Sequence, residues 1–236
     1  MQKIELNENQ GRTPIGLACL DSILNGGLEH GVITELFGEG GSGKTNICMQ
    51  FAINTASQGR KVFYLDSEGF SIERFRQMSV SRSDIYDNIA LFRLNSLEDQ
   101  ELSLIKVQRL MEKVKSPGAL IVDSFTEYFR LETGSDYQAR VAGFQKQLGT
   151  ILAMISEYHI PALVTNQIYQ DIDKGQLQPF GGYVIDHSEG FSIERFRQMS
   201  VSRSDIYDNI ALFRLLGFPS NTYNGLMPFS MNVTDR

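Results

Sequence analysis

The 236-residue chain has only two cysteines, no apolar run that approaches membrane-spanning length, and no excess of basic charge. Each shortage excludes something. Cys48 follows Ile47 in a helical stretch where a small apolar side chain packs well, and with Cys19 as its only fellow a disulfide framework or a metal site is the wrong expectation. Twenty-eight acidic residues against 22 Lys and Arg leave a net charge of −6. That balance excludes a protein that holds nucleic acid by bulk electrostatics, so any DNA contact has to come from local loops. The opening residues Met1-Gln2-Lys3-Ile4-Glu5 form no apolar h-region, so the expected location is cytoplasmic with no membrane partner. What is present is a globular composition, 42% hydrophobic, 21% charged and 10% aromatic. The length suits one large α/β domain with a buried sheet.

The most specific stretch runs from Val32 to Thr45. An apolar strand, Val32-Ile33-Thr34-Glu35-Leu36-Phe37, feeds into Gly38-Glu39-Gly40-Gly41-Ser42-Gly43-Lys44-Thr45, the G-x-x-x-x-G-K-T pattern of a phosphate-binding loop. Glycines let backbone N–H groups turn inward around a phosphate, Lys44 can reach the β- and γ-phosphates, and the Thr45 hydroxyl can bind Mg²⁺. A helix over Asn46 to Ser57 would point its positive end at the same place. Two other readings compete: an ordinary flexible glycine loop, and a dinucleotide fingerprint Gly38-x-Gly40-x-x-Gly43 with Asp66 as its acidic residue. Neither explains Lys44-Thr45.

Residues 1–12 are polar and read as a loose arm, with a single domain expected over 13–236. Leu17, Leu20, Ile23 and Leu24 predict a short helix stopped by Gly26-Gly27. Val62-Phe63-Tyr64-Leu65 predicts a strand beside the phosphate-loop strand, closing on Asp66-Ser67-Glu68-Gly69 at the end where ligands sit in open α/β sheets. A strand-ending turn with solvated acids explains those carboxylates equally well. Ser96 starts a predicted helix to Lys115, with Leu102, Ile105, Leu110, Met111 and Val114 as its apolar set. Ala119-Leu120-Ile121-Val122-Asp123 reads as a buried parallel strand whose terminal Asp123 is placed to hold Mg²⁺ as a Walker B residue. Tyr137, Val141, Phe144, Leu148, Ile151, Leu152 and Ile155 mark a long amphipathic helix. Ala162-Leu163-Val164-Thr165 is the next strand, closing on Asn166-Gln167, with a loop predicted from there to Gly181-Gly182. Strands alternating with helices predict an α/β fold with a doubly wound, mostly parallel sheet and helices on both faces.

Residues 67–94 and 188–215 are the same 28 residues without one substitution, displaced by 121 positions. One displaced copy is not the short fixed period of a solenoid or propeller. Local propensity favours similar pieces in both: a helix around Ile72, Phe75 and Met78, and a strand Ile89-Ala90-Leu91-Phe92, repeated as Ile210-Ala211-Leu212-Phe213.

In Thr13–Leu28, the phosphate loop, Leu65-Asp66-Ser67-Glu68-Gly69-Phe70, Ile121-Val122-Asp123-Ser124, Val164-Thr165-Asn166-Gln167 and Gly181-Gly182, the chain resembles the RecA superfamily, and within it the archaeal RadB paralogues. The resemblance covers residues 13 to about 187. It implies a RecA-like ATPase core that uses ATP and Mg²⁺ in recombination and DNA repair. By residue, it implies Glu68 as the base that orients the attacking water, Gln167 as the γ-phosphate sensor joined to a DNA-facing loop, and Lys44, Thr45 and Asp123 as MgATP ligands. Implied partners are single-stranded DNA, held weakly through loops after Asp123 and Gln167, a full-length recombinase, and further copies of the chain. The family would continue past the double glycine into a strand hairpin, where this chain carries its duplicate, so the C-terminal part of the fold is expected to be disrupted. Two other functions fit the same residues: a non-catalytic recombination mediator in which ATP sets conformation, and a KaiC-like ATPase with a protein target.

Overall fold

A computed structural model describes residues 11–38, 40–80, 82–131, 137–170, 177–179 and 212–216. The strands are β1 (Arg12–Thr13), β2 (Leu28–Glu29), β3 (Ile33–Gly38), β4 (Lys61–Asp66), β5 (Ile89–Arg93), β6 (Pro117–Asp123), β7 (Ala162–Gln170), β8 (Leu177–Pro179) and β9 (Leu212–Leu216). Between them lie α1 (Ala18–Ile23), α2 (Lys44–Ser57), α3 (Ile72–Met78), a 3₁₀ turn (Ser83–Asn88), α4 (Leu97–Met111), α5 (Glu127–Leu131) and α6 (Tyr137–Tyr158).

The main sheet has the order β5-β4-β6-β7-β3-β9, and β8 pairs with β7. β5, β4, β6, β7 and β3 are parallel, and β4 and β6 in the interior are buried on both faces while β5, at the edge, is half-buried. Val62 to Leu65 and Ala119 to Val122 have no exposure at all. Alternate residues then sort to opposite sides. Val62, Tyr64, Ala119, Ile121 and Leu163 join Phe51, Ala52 and Phe75 in one core layer. Phe63, Leu65, Leu120, Val122 and Val164 join Leu104, Val107, Phe144 and Ile151 in the other. The α/β architecture with helices on both faces is the expected one.

The strand order corrects one expectation. β4 does not lie beside the phosphate-loop strand: β3 pairs with β7, and both β6 and β7 stand between it and β4. The hydrophobic pattern places each strand in the interior but says nothing of its neighbour. A second correction concerns the loop expected after Gln167. β7 runs on to Gln170 and forms an antiparallel ladder with β8, pairing Ile168 with Pro179 and Gln170 with Leu177. That ladder is made by the main chain, so side-chain composition does not announce it.

Ser71 and Ser96 cap α3 and α4 by accepting from the backbone N–H of Arg74 and Asp99. The face of α4 is only partly the expected one: Met111 is buried as predicted, and Val114 packs against the core just beyond the helix. The helix buries Leu104, Val107 and Met111, while Leu102, Ile105 and Leu110 stay exposed. α6 buries Phe144, Ile151 and Ile155 as its stripe predicts, and adds Met154. Phe125, Phe129 and Phe144 pack ring to ring at 4.9–5.7 Å and pin the short α5 under α6.

The two copies of the repeat meet different fates where both are described. In the first, Leu91-Phe92-Arg93 lies in β5, parallel to β4 at one edge of the sheet. In the second, the matching Leu212-Phe213-Arg214 lies in β9, antiparallel to β3 at the opposite edge. The rest of the second copy, residues 188–211, lies outside the described residues, as do Gly181-Gly182.

At the start of the chain, Arg12, assigned to the arm by its sequence, pairs in β1 with β2 and forms an ion pair with Glu29 at 2.7 Å. Gly27 closes this small ladder at φ +127°, where a Cβ would stand 2.2 Å from the Thr13 carbonyl oxygen. Gly27→Ala is expected to lower the unfolding free energy by about 2–3 kcal/mol, from backbone strain and the backbone contact together. A urea titration would show this as an earlier midpoint at unchanged slope.

Candidate nucleotide site

β3 delivers Gly38 to the ligand end of the sheet, and register sets Gly38 opposite Gln167 and Asp66 opposite Asp123. The loop then turns through Gly41 (φ 81°) and Gly43 (φ 90°), left-handed conformations that glycine adopts without cost. α2 begins on Lys44, two residues before the expected start. Lys44 is buried, and its Nζ donates to the Gly38 carbonyl at 3.1 Å. Burial lowers its pKa, opposed by the negative charge of Glu68 and Asp123 nearby. Thr45 sits half-buried in the first turn of α2. The Ser42 hydroxyl is buried in the loop without a hydrogen-bond partner from the protein. Glu39 lies outside the described residues.

Asp123, at the end of β6, has no exposure. Its two carboxylate oxygens accept from the Thr165 hydroxyl of β7 at 2.6 Å and the Tyr64 hydroxyl of β4 at 2.8 Å. Burial first, and then Asp123 itself, push the Tyr64 phenol well above its ordinary pKa, so it remains a donor. Asp66 does a different job. Its oxygens accept from the backbone N–H groups of Gly69 and Phe70 at 2.9 and 2.7 Å, shaping the turn that presents Glu68. Asp66 is buried and committed to this turn, which speaks against the dinucleotide reading that needs it to face a ligand.

Glu68 and Gln167, 99 residues apart, meet at this end of the sheet: Gln167 Nε2 donates to Glu68 Oε1 at 2.7 Å. Gln167 Oε1 accepts from Arg130 Nη1 at 2.8 Å, and Arg130 Nη2 donates to Glu127 Oε2 in an ion pair along α5. Partial desolvation pushes the Glu68 carboxyl above the ordinary glutamate range; Asp123 and Glu127 add to the shift, while the Gln167 bond and Lys44 oppose it. Beside this chain, Asn166 donates to the buried Glu35 at 2.8 Å and accepts from the Thr126 hydroxyl at 2.7 Å.

The structure therefore brings together Gly38 of β3, Lys44 of α2, Glu68 from the turn after β4, Asp123 of β6 and Gln167 of β7. Sequence reasoning did not single out Arg130, Glu127, Tyr64 or Thr165 as site residues. Tyr64 and Thr165 were signalled weakly, as polar tips inside otherwise apolar runs; Arg130 and Glu127 form an i, i+3 pair on a helix too short to show a pattern. Tyr64→Phe leaves the buried Asp123 one donor short. It is expected to cost about 1–3 kcal/mol of stability, measured by urea unfolding of the two proteins.

The Rad51 family profile matches residues 12–203. The DNA repair and recombination protein RadB of Thermoplasma acidophilum is 51% identical over 188 residues, covering 80% of this chain and 81% of that protein. RadB of Thermoplasma volcanium is 49% identical over 187 residues, covering 79% of each, and RadB of Methanococcoides burtonii is 37% identical over 171 residues, covering 71% of this chain and 75% of the relative. With the parallel sheet and the loop geometry already described, these matches show that the chain belongs to the Rad51 family of the RecA superfamily, among the RadB paralogues.

Proposed function

We propose that the chain is an ATP- and DNA-binding, recombinase-like protein of homologous recombination and DNA repair, with weak or DNA-conditional ATP hydrolysis, and that residues 13–236 act as one ATPase domain. The observation that carries this reading is the convergence of Lys44, Glu68, Asp123 and Gln167 on the ligand end of one parallel sheet. The residues fit MgATP. The Ser42 hydroxyl, within the loop, is buried without a protein partner and so is a donor that a bound phosphate would satisfy. Gly38, Glu39, Gly40, Gly41, Ser42 and Gly43 would cradle the phosphates by their backbone N–H groups, with Lys44 answering the β- and γ-charges.

Among the described residues no three His, Cys, Asp or Glu side chains gather into a metal-ligating group. Mg²⁺ would be held through the Thr45 hydroxyl, phosphate oxygens and a water shell reaching Asp123, whose own oxygens already accept two hydroxyls. Bound there, the ion would neutralise charge on the phosphates. Glu68 orients and deprotonates the attacking water, and Lys44 with the loop N–H groups stabilises the charge that develops. A mediator with little turnover is the second reading, and the engagement of Glu68 Oε1 by Gln167 favours it.

DNA contact is assigned to the segments after Asp123 and after Gln167. The second contains Asp171, Asp173 and Asp186 against Lys174, so binding should be weak and lean on stacking by Tyr169 or Phe180, worth ~1–3 kcal/mol per base. Phe180 lies outside the described residues. Partners of this kind, a full-length recombinase or further copies of the chain, belong to the same proposal.

Thermal unfolding with and without MgATP, and steady-state turnover with and without single-stranded DNA, test the site. Lys44→Ala should lose ATP stabilisation. Glu68→Gln should keep it while turnover falls about 10²-fold or more, and Glu189→Gln, the duplicate, should change neither. Because Glu68 must be ionised to act, turnover should fall as pH drops through a pKa above the ordinary glutamate value of about 4.3. Undiminished ATP stabilisation in Lys44→Ala would place the nucleotide elsewhere. Separately, Tyr169→Ala and Phe180→Ala should each weaken single-stranded DNA binding in a fluorescence titration. Nanomolar affinity unaffected by either would sink the stacking assignment.

A further inference from the structure

The Gln167 amide sits between two groups of opposite character. A guanidinium can only donate and a carboxylate can only accept, so Arg130 claims the amide oxygen and Glu68 claims the amide N–H. The reverse orientation would set N–H against guanidinium and oxygen against carboxylate, losing both bonds. Without Arg130, Glu68 alone would select the orientation, and only on one side.

Arg130 is itself held from two directions. Glu127, three residues earlier on α5, accepts from its Nη2. Its neighbour Phe129 is 1% exposed and packs against Phe125 and Phe144, which fixes α5 under α6. The guanidinium also lies near enough to Lys44 for the two positive charges to be felt by each other. α5 begins four residues after Asp123, so Arg130 belongs to the first segment assigned to DNA and at the same time bonds Gln167 at the nucleotide site.

We propose that Arg130 is a positioning residue of the nucleotide site: by fixing the orientation of the Gln167 amide against Glu68, it ties α5 and the segment after Asp123 to recognition of the γ-phosphate. The proposal rests on the reading of Gln167 as the γ-phosphate sensor. A residue that acts only through Gln167 has nothing left to do once Gln167 is gone. Coupling between the two substitutions therefore separates positioning from general structural support.

The test measures binding of MgADP and of a non-hydrolysable Mg-ATP analogue to wild type, Arg130→Met, Gln167→Ala and the double variant, with circular dichroism as the check on folding. Wild type should prefer the triphosphate. Arg130→Met and Gln167→Ala should each reduce that preference by about tenfold, and the double variant should lose no more than either alone. Arg130→Lys should recover part of the preference, since one ammonium can still donate to Oε1. If Arg130→Met does not fold, Arg130→Lys and Glu127→Gln carry the same comparison. An unchanged preference in Arg130→Met beside a reduced one in Gln167→Ala, or fully additive losses, would overturn the role of Arg130 alone. An unchanged preference in Gln167→Ala, or no triphosphate preference in wild type, would overturn the sensor reading and the proposal with it.

Discussion

A carboxylate sealed from water has to be answered by donors inside the protein, and Asp123 is answered by hydroxyls from the strands on either side of its own. Tyr64 belongs to β4, Asp123 to β6 and Thr165 to β7, so one side chain ties three adjacent strands at the end of the sheet where their polar residues emerge. Strand stagger at this end is thereby set by chemistry as well as by the ladder. Asp66 and Gln167 lie two residues beyond Tyr64 and Thr165 along the chain, and Glu68 lies four beyond Tyr64.

The sheet order gives this tie its reach. With β6 and β7 between β4 and β3, a residue leaving β4 has to cross two strands to approach the phosphate loop. Glu68 covers the first of them: from the turn that Asp66 holds with two backbone bonds it reaches past β6 to meet Gln167 on β7, the strand that pairs with β3. Asn166 works on the same strand in the other direction, joining Glu35 of β3 to Thr126 just before α5. Adjacent residues of β7 thus serve different partners, as alternation along a strand requires.

How much of this was legible depended on what kind of interaction made it. The phosphate loop, Asp123 and Gln167 could be read because glycine runs and polar residues at the ends of apolar strands are local signals. Buried strands and the α6 stripe could be read for the same reason. The neighbour of β4 could not, because every interior strand of a parallel sheet has the same composition. The buried face of α4 is legible only in part, at Met111 and Val114, because Leu102, Ile105 and Leu110 are as apolar as the residues that are covered, and Gln100 and Ser103, which look solvated, are buried instead. Gln100 reaches the Phe125 carbonyl and Gln147, partners that no local window contains. Arg130 carries no local signal because the side chain it bonds, Gln167, is 37 residues away.

Leu-Phe-Arg occurs at both edges of the sheet, parallel at one and antiparallel at the other, so propensity did not choose the edge or the direction. Order of emergence offers a physical basis for the choice. During synthesis the first copy follows β4 directly, and the second leaves the ribosome 121 residues later. At roughly 5–20 residues per second, that is a lead on the order of ten seconds. β4 and β5 pair in parallel through a crossover, slower than a hairpin, but β-rich folding on the order of milliseconds to seconds still lets the seat beside β4 be occupied before an identical competitor exists. A chain refolded from denaturant has no such schedule: both copies are present from the first instant, and the two edges are contested.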